Sequence, residues 1–342
     1  MNPSGEIRFG LGAIKGAGDA AVESVIQERQ SNGPFKDIFE FTKRLSQRSV
    51  TKKTIECLAL SGAFDCFPEH HRRQYLAAKE GDINLTEKAI RYAAKVQQEE
   101  ISSQTSLFGG SAGAPMPLPK VDPIEPFSQI ELLNFEKEVV GVYISGHPLD
   151  SFRFEMETFC NTPLNILSNL EAMEGKDIRA GGIVSAVEHR MTKTGKPFGK
   201  LIIEDYSGKF ECIMWSEDYM KFKSFLTPGY NLFIEGSVNR KVWGDHALEF
   251  KIRNIELLNE LGLRRTKGIQ LTLNAAGLNT DLIKNLESLC KKYEGKTPLY
   301  FRLRDQEAQI NLELLSRKFQ VKAIDEFVRQ CKRLPDVELM VI

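Results

Sequence analysis

The sequence predicts a multidomain α+β chain, and three observations carry that reading. Apolar residues recur at helical spacing through most of the first 175 residues. Between Ile178 and Leu258 the pattern changes to period-two alternation in five runs, with one helical stretch between the third and fourth. From Gly268 onward strands and helices alternate in the order βαββαβ. At 342 residues, 42% hydrophobic and 27% charged, the chain is long enough for several cores.

The first module spans residues 5–75. Its organising stretch is Leu11–Ile26, read as a short helix ending at Ile14, a tight turn Lys15-Gly16-Ala17-Gly18, and a second helix opening at Asp19. Two glycines one residue apart allow a sharp turn with positive φ and a close approach to another chain. The N–H groups and positive dipole end of the following helix then suit a phosphate and read no base. The pattern resembles a helix-hairpin-helix, a sequence-independent grip on a DNA backbone. Gly16, Gly18 and Ala21 also spell G-x-G-x-x-A, but no buried strand precedes them and no βαβ unit follows, so a dinucleotide site is discounted. A plain helical turn with no ligand is the other alternative, and the Asp19 carboxylate would compete with a phosphate for the helix end.

Phe35, Ile38, Phe39 and Phe41 form an apolar face and read as core. Lys52 and Lys53, in a basic run after Lys43, are candidate DNA contacts, the alternative being a solvated surface. Ser61–Asp65 reads as a second, degraded hairpin without the paired glycines. His70 and His71, beside Arg72 and Arg73, are expected at the surface.

Residues 76–130 join a helix over 72–101 to a Ser-, Gly- and Pro-rich stretch, 102–120, expected to be a flexible linker. Within it, Gln104-Thr105-Ser106-Leu107-Phe108 offers two large apolar side chains and an amide, as a peptide that docks in a partner's pocket does. Residues 131–174 read as a helical connector, with a helix over 131–145 stopped by Gly146-His147-Pro148.

Residues 175–262 follow the element order of a five-stranded OB-fold barrel. Such barrels hold single strands by stacking bases on aromatics in a basic groove. The candidate residues are Arg190, Lys193, Lys196 and Phe198 around the first hairpin, and Arg240, Lys241, Trp243 and His246 around the last. Phe210 and Trp215 are assigned to the core. Binding is expected to weaken steeply with salt. Residues 264–342 suggest a ferredoxin-like α/β domain. Gly295-Lys296-Thr297 is no phosphate loop, since Cys290 stands where its first glycine belongs.

Composition excludes several classes. The six cysteines are scattered without a C-x-x-C pair, which argues against a zinc site or disulfide scaffold and for a reducing, cytoplasmic setting. No signal peptide or membrane-spanning run appears. Net charge is zero, but the acid is concentrated in residues 76–175, with 15 Asp/Glu against 7 Lys/Arg. No metal-spaced carboxylate pair, nucleophile elbow or K-x-D-G lysine is visible, so no catalytic residue is assigned. A ligase or repair enzyme, an aminoacyl-tRNA synthetase and a protein-interaction scaffold are the competing classes.

The order of motifs resembles the C-terminal portion of the bacterial replicative C-family polymerases, the DNA polymerase III alpha subunits. The matching stretches are Ile7–Gly18, Gly33–Phe35 with Ile38-Phe39, Ser61–Asp65, Gln104–Gly109, Glu136–Glu138 and Gly141–Leu149. The resemblance implies a parent DNA-directed DNA polymerase, a nucleotidyltransferase whose palm domain and magnesium-binding aspartates lie upstream. It implies that Lys15–Gly18 contact template–primer duplex and that the barrel engages single-stranded template. Gln104, Leu107 and Phe108 look like the internal sliding-clamp-binding motif. The last domain is expected to contact the clamp-loader tau subunit.

Overall fold

A computed structural model describes residues 9–105, 116–241, 247–305 and 308–342, with the backbone path alone for 100–105. The chain forms two compact units, Met1–His147 and Pro148–Ile342.

The first unit is helical: α1 (Asp19–Asn32), α2 (Ile38–Arg44), α3 (Lys52–Leu60), α4 (Arg72–Leu76), α5 (Leu85–Thr105) and α6 (Gln129–Val140). Local capping sets the starts. Asp37 accepts the Glu40 N–H at 2.7 Å, and Ser128 and Glu131 form a reciprocal capping box. Ile38, Phe39, Phe41, Ile55, Leu58 and Phe64 are buried in one core with Tyr75. Phe64 packs edge-on to Phe41 and stacked on Tyr75, at 5.1 and 5.4 Å between centroids.

Three expectations for this unit are corrected. The helix expected over 72–101 is two helices. Gly81 takes φ 84°, and Asn84 caps α5 by accepting the Glu87 N–H at 3.0 Å. The helix expected to reach Ser145 stops at Val140, because Gly141 takes the left-handed conformation and closes on Lys137 O. The stretch read as linker is structured at both ends. α5 continues through Thr105, and the segment from Met116 is tied down. Tyr92 Oη, Lys88 Nζ, Gln74 Nε2 and His71 Nε2 bond the carbonyls of Met116, Lys120, Asp122 and Ile124. His71 is therefore half-buried and engaged, and His70 lies half-buried edge-on to Phe39, so neither is the surface residue expected.

The second unit opens with α7 (Arg153–Phe159). The barrel follows: β1 (Asp177–Met191), β2 (Pro197–Glu204), β3 (Lys209–Trp215), α8 (Ser216–Phe222), β4 (Asn231–Arg240) and β5 (Leu248–Leu257). All four pairings are antiparallel, in the order β3-β2-β1-β4-β5. This is an OB-fold, with Tyr219 and Phe222 of α8 buried in its core.

Then come α9 (Leu258–Arg265), β6 (Ile269–Asn274), α10 (Thr280–Lys292), β7 (Glu294–Asp305), β8 (Ile310–Val321), α11 (Asp325–Lys332) and β9 (Val337–Val341). The βαββαβ order is the expected one. The strand order, β8-β7-β6-β9, departs from the split arrangement of a ferredoxin-like sheet. β7 lies parallel and directly beside β6, and β8 takes the outer edge instead of sitting between them.

The barrel and this sheet are joined closely. Arg265 of α9 pairs with Glu235 at 2.7 Å and with Glu256. Asp325 Oδ1 accepts the Phe154 N–H at 3.0 Å. Gly262 of α9 admits the Ala323 carbonyl oxygen where a Cβ would stand.

Candidate nucleic-acid interface

The first hairpin has the expected geometry. Gly16 and Gly18 take φ of 86° and 73° between the short helical turn Leu11–Ala13 and α1. Ala17 is buried, and the Lys15 N–H donates to Val139 O at 2.7 Å, which fixes the turn on the unit. A Cβ on Gly16 would lie 2.8 Å from Cys57 Sγ, so this glycine is required by packing as well as by φ. Gly18 caps α1, and no side chain bonds the helix end. Asp19 stands exposed in the first turn. Lys15 and Lys53 are both exposed, and Lys53 Cε comes to 3.8 Å from that Gly16 position. Lys52 instead reaches Glu87, at 3.4 Å.

The second hairpin is built for packing. Gly62 takes φ 84°, and the Arg72 guanidinium fills the space beside it. Arg72 pairs with Asp65 at 2.6 Å and with the buried Glu136 at 2.8 Å. Glu136 also accepts the N–H groups of Ile144 and Ser145 at 2.8 and 2.9 Å. Burial pushes this carboxyl up, but these bonds outweigh it and hold it below the ordinary carboxylate value.

On the barrel the ladder brings three residues into one row. Arg190 of β1 is paired with Phe198 of β2, and Phe198 with Trp215 of β3. Register partners project from the same face, so the three side chains stand together. The Phe198 and Trp215 rings are stacked, 4.8 Å apart at 25°. Trp215 is 52% exposed, which overturns its assignment to the core; Phe210 does pack against the core, edge-on to Phe250. Beside the row, the turn Thr192–Lys196 is closed by Thr192 and by Gly195 at φ 77°. It carries Lys193 and Lys196, both exposed and in no ion pair among the described residues.

The two predicted arginines are engaged within the chain. Arg190 pairs with Glu188 on the same face of β1. Arg240 grips Glu174 through two bonds of 2.8 and 2.9 Å. Lys200 likewise pairs with Glu211 at 2.8 Å. Lys241 is half-buried, and its N–H donates to Ala247 O.

Gln104 lies in the last turn of α5, a helical rather than an extended setting. Leu107, Phe108, Trp243 and His246 lie outside the described residues. Among the described residues no group of three or more His, Cys, Asp or Glu is placed to hold a metal ion, and no helix is long and apolar enough to cross a membrane.

Comparison with known proteins adds to this geometry. Residues 1–75 match the family model of the helix-hairpin-helix motif, and residues 178–258 that of the OB-fold nucleic acid binding domain. Residues 269–341 match the model of the DNA polymerase III alpha subunit, C-terminal domain. The DNA polymerase III subunit alpha of Deinococcus radiodurans is 29% identical over 316 residues, covering 90% of this chain and 23% of that protein. Over nine-tenths of its length the chain is similar to DNA polymerase III alpha subunits. The subunit alpha of Buchnera aphidicola is 28% identical, over 98% of this chain and 28% of that protein. The chain therefore spans about a quarter of the length of these relatives. Among solved structures, the second OB-fold domain of replication protein A from Methanococcus maripaludis is 21% identical over 26% of this chain and 90% of that one, with a TM-score of 0.18.

In this alpha-subunit relative, sequence reasoning missed Trp215 as a surface aromatic. The signal was present. Lys209, Glu211, Ile213 and Trp215 share one phase of the period-two alternation, opposite to the buried Cys212 and Met214.

Proposed function

We propose that this chain positions DNA for replication, as the C-terminal, DNA-holding and clamp-tethering portion of a polymerase alpha subunit. Its barrel holds single-stranded template, and the Lys15–Gly18 hairpin with Lys53 contacts the duplex backbone. Gln104, Leu107 and Phe108 dock in the sliding clamp and confer processivity, and residues 264–342 engage the clamp-loader tau subunit. The role is positional: weak phosphate and stacking contacts add to one peptide contact through effective concentration.

The observation that carries the reading is the Arg190–Phe198–Trp215 row beside a turn bearing Lys193 and Lys196. An exposed Trp215 stacked on a half-buried Phe198, beside lysines in no ion pair among the described residues, is what a sequence-tolerant single-strand site requires. Fluorescence anisotropy of a labelled oligothymidylate with the chain tests it. Binding that Trp215→Ala removes supports the reading; absence of binding at low salt overturns it. For the tether, Leu107→Ala with Phe108→Ala is expected to abolish clamp capture while DNA binding persists.

A further inference from the structure

The two barrel arginines singled out from sequence, Arg190 in the aromatic row and Arg240 at the end of β4, are each held by a glutamate of the same chain. Glu188 sits two residues before Arg190 on the same face of β1. Glu174, 66 residues from Arg240 in sequence, meets its guanidinium side-on with Nε–Oε1 at 2.8 Å and Nη2–Oε2 at 2.9 Å. The two-bond geometry is the one a guanidinium makes with a phosphate. All four side chains are between 41% and 63% exposed, so these pairs are not buried structural clasps. An exposed ion pair contributes little to stability, so a phosphate can displace the carboxylate at small cost.

We infer that Glu188 and Glu174 act as phosphate mimics: they occupy Arg190 and Arg240 until a nucleic-acid phosphate displaces them, and so limit how tightly the barrel holds a single strand. This rests on the single-strand reading above. The charges make the consequence definite. With both arginines engaged, Lys193 and Lys196 are the cations near the row that lack an ion pair among the described residues. A strand arriving at the barrel must exchange Arg–carboxylate contacts for Arg–phosphate contacts, with the two carboxylates left beside it. Affinity and salt dependence are both held below what the count of basic residues suggests, and the steep salt response expected from sequence becomes a shallow one. A polymerase that must pass template continuously is served by such a contact, since tight holding at each step would slow release.

The test compares the full chain with Glu188→Gln and Glu174→Gln, separately and together, using anisotropy of a fluorescein-labelled oligothymidylate over a salt series. Each substitution is expected to tighten binding about two- to fivefold. Each is also expected to steepen the slope of log K against log salt by about 0.7, the increment for one more phosphate neutralised on a single strand. Glu188→Asp, which keeps a carboxylate, is expected to stay near wild type. Glu188→Gln combined with Arg190→Gln is expected to lose the gain. If the parent chain binds the oligonucleotide and the Gln variants bind no tighter with an unchanged slope, the mimicry is wrong and the single-strand reading stands. If the parent chain and all variants fail to bind, the single-strand reading itself falls. Circular dichroism of each variant checks folding, and weaker binding by a folded Gln variant also overturns the proposal.

Discussion

Nη1 of Arg72 lies 2.8 Å from Oε1 of Glu136, a carboxylate with no exposure to solvent. The pair ties the second hairpin to α6 and to the turn that follows it, where Ile144 and Ser145 donate to the same carboxylate. Removing one partner of such a pair leaves an uncompensated buried charge. Arg72→Ala is expected to destabilise the helical unit by about 3–5 kcal/mol in urea unfolding followed by far-ultraviolet circular dichroism. A loss below about 1 kcal/mol would show that the pair is a bystander.

Glu155, on α7, gives a pH prediction. It is buried, its Oε2 has no partner, and burial, with repulsion from Asp325, raises its carboxyl from 4.5 to about 7. The folded state therefore holds this proton more tightly than the unfolded chain. Its contribution is fully present below about pH 4.5, declines as pH rises to about 7, and is absent above. Glu155→Gln keeps the group neutral at every pH. It is expected to flatten that decline and to stabilise the second unit at pH 8 by about 2–3 kcal/mol, read from thermal melts at several pH values. Parallel pH profiles for parent and variant would contradict it.

The two hairpin glycines are expected to respond differently to alanine. Both have positive φ, which costs an L-residue about 1 kcal/mol. A methyl on Gly18 meets nothing within 4 Å, whereas one on Gly16 meets Cys57 Sγ at 2.8 Å. Gly16→Ala should therefore be the more destabilising, and Cys57→Ala should recover the difference but not the shared φ term. Equal melting temperatures for the two single variants would remove the packing argument.

Trp215 tests the stacking platform. Trp215→Ala is expected to weaken oligothymidylate binding by about 1–3 kcal/mol, the range for one base–aromatic stack, and Trp215→Phe to retain most of it. A loss shared equally by both variants would point to folding rather than stacking.

The barrel was legible because period-two alternation is a local property: Lys209–Trp215 as a strand follows from its own seven side chains. The strand order of the C-terminal sheet was not, since βαββαβ connectivity is compatible with β7 beside β6 or beyond β8, and pairing is decided by non-local packing. The site divides the same way. Gly16 and Gly18 take the positive φ that their spacing predicts, and Phe198 lies on β2 in register with Arg190. The engagement of Arg240 by Glu174 was invisible across 66 residues of separation. His71 misled because polarity suggested the surface, whereas its ring serves a carbonyl of a segment 53 residues away.

Gly262 has a mechanical consequence. With no side chain of its own, it lets α9 rest directly on the Ala323 carbonyl, while Arg265 on the same helix locks to the barrel through Glu235 and Glu256. A displacement of the Ala323 loop against α9 is therefore passed to β4 and β5 through one short helix, so the last sheet and the barrel are coupled at a single joint.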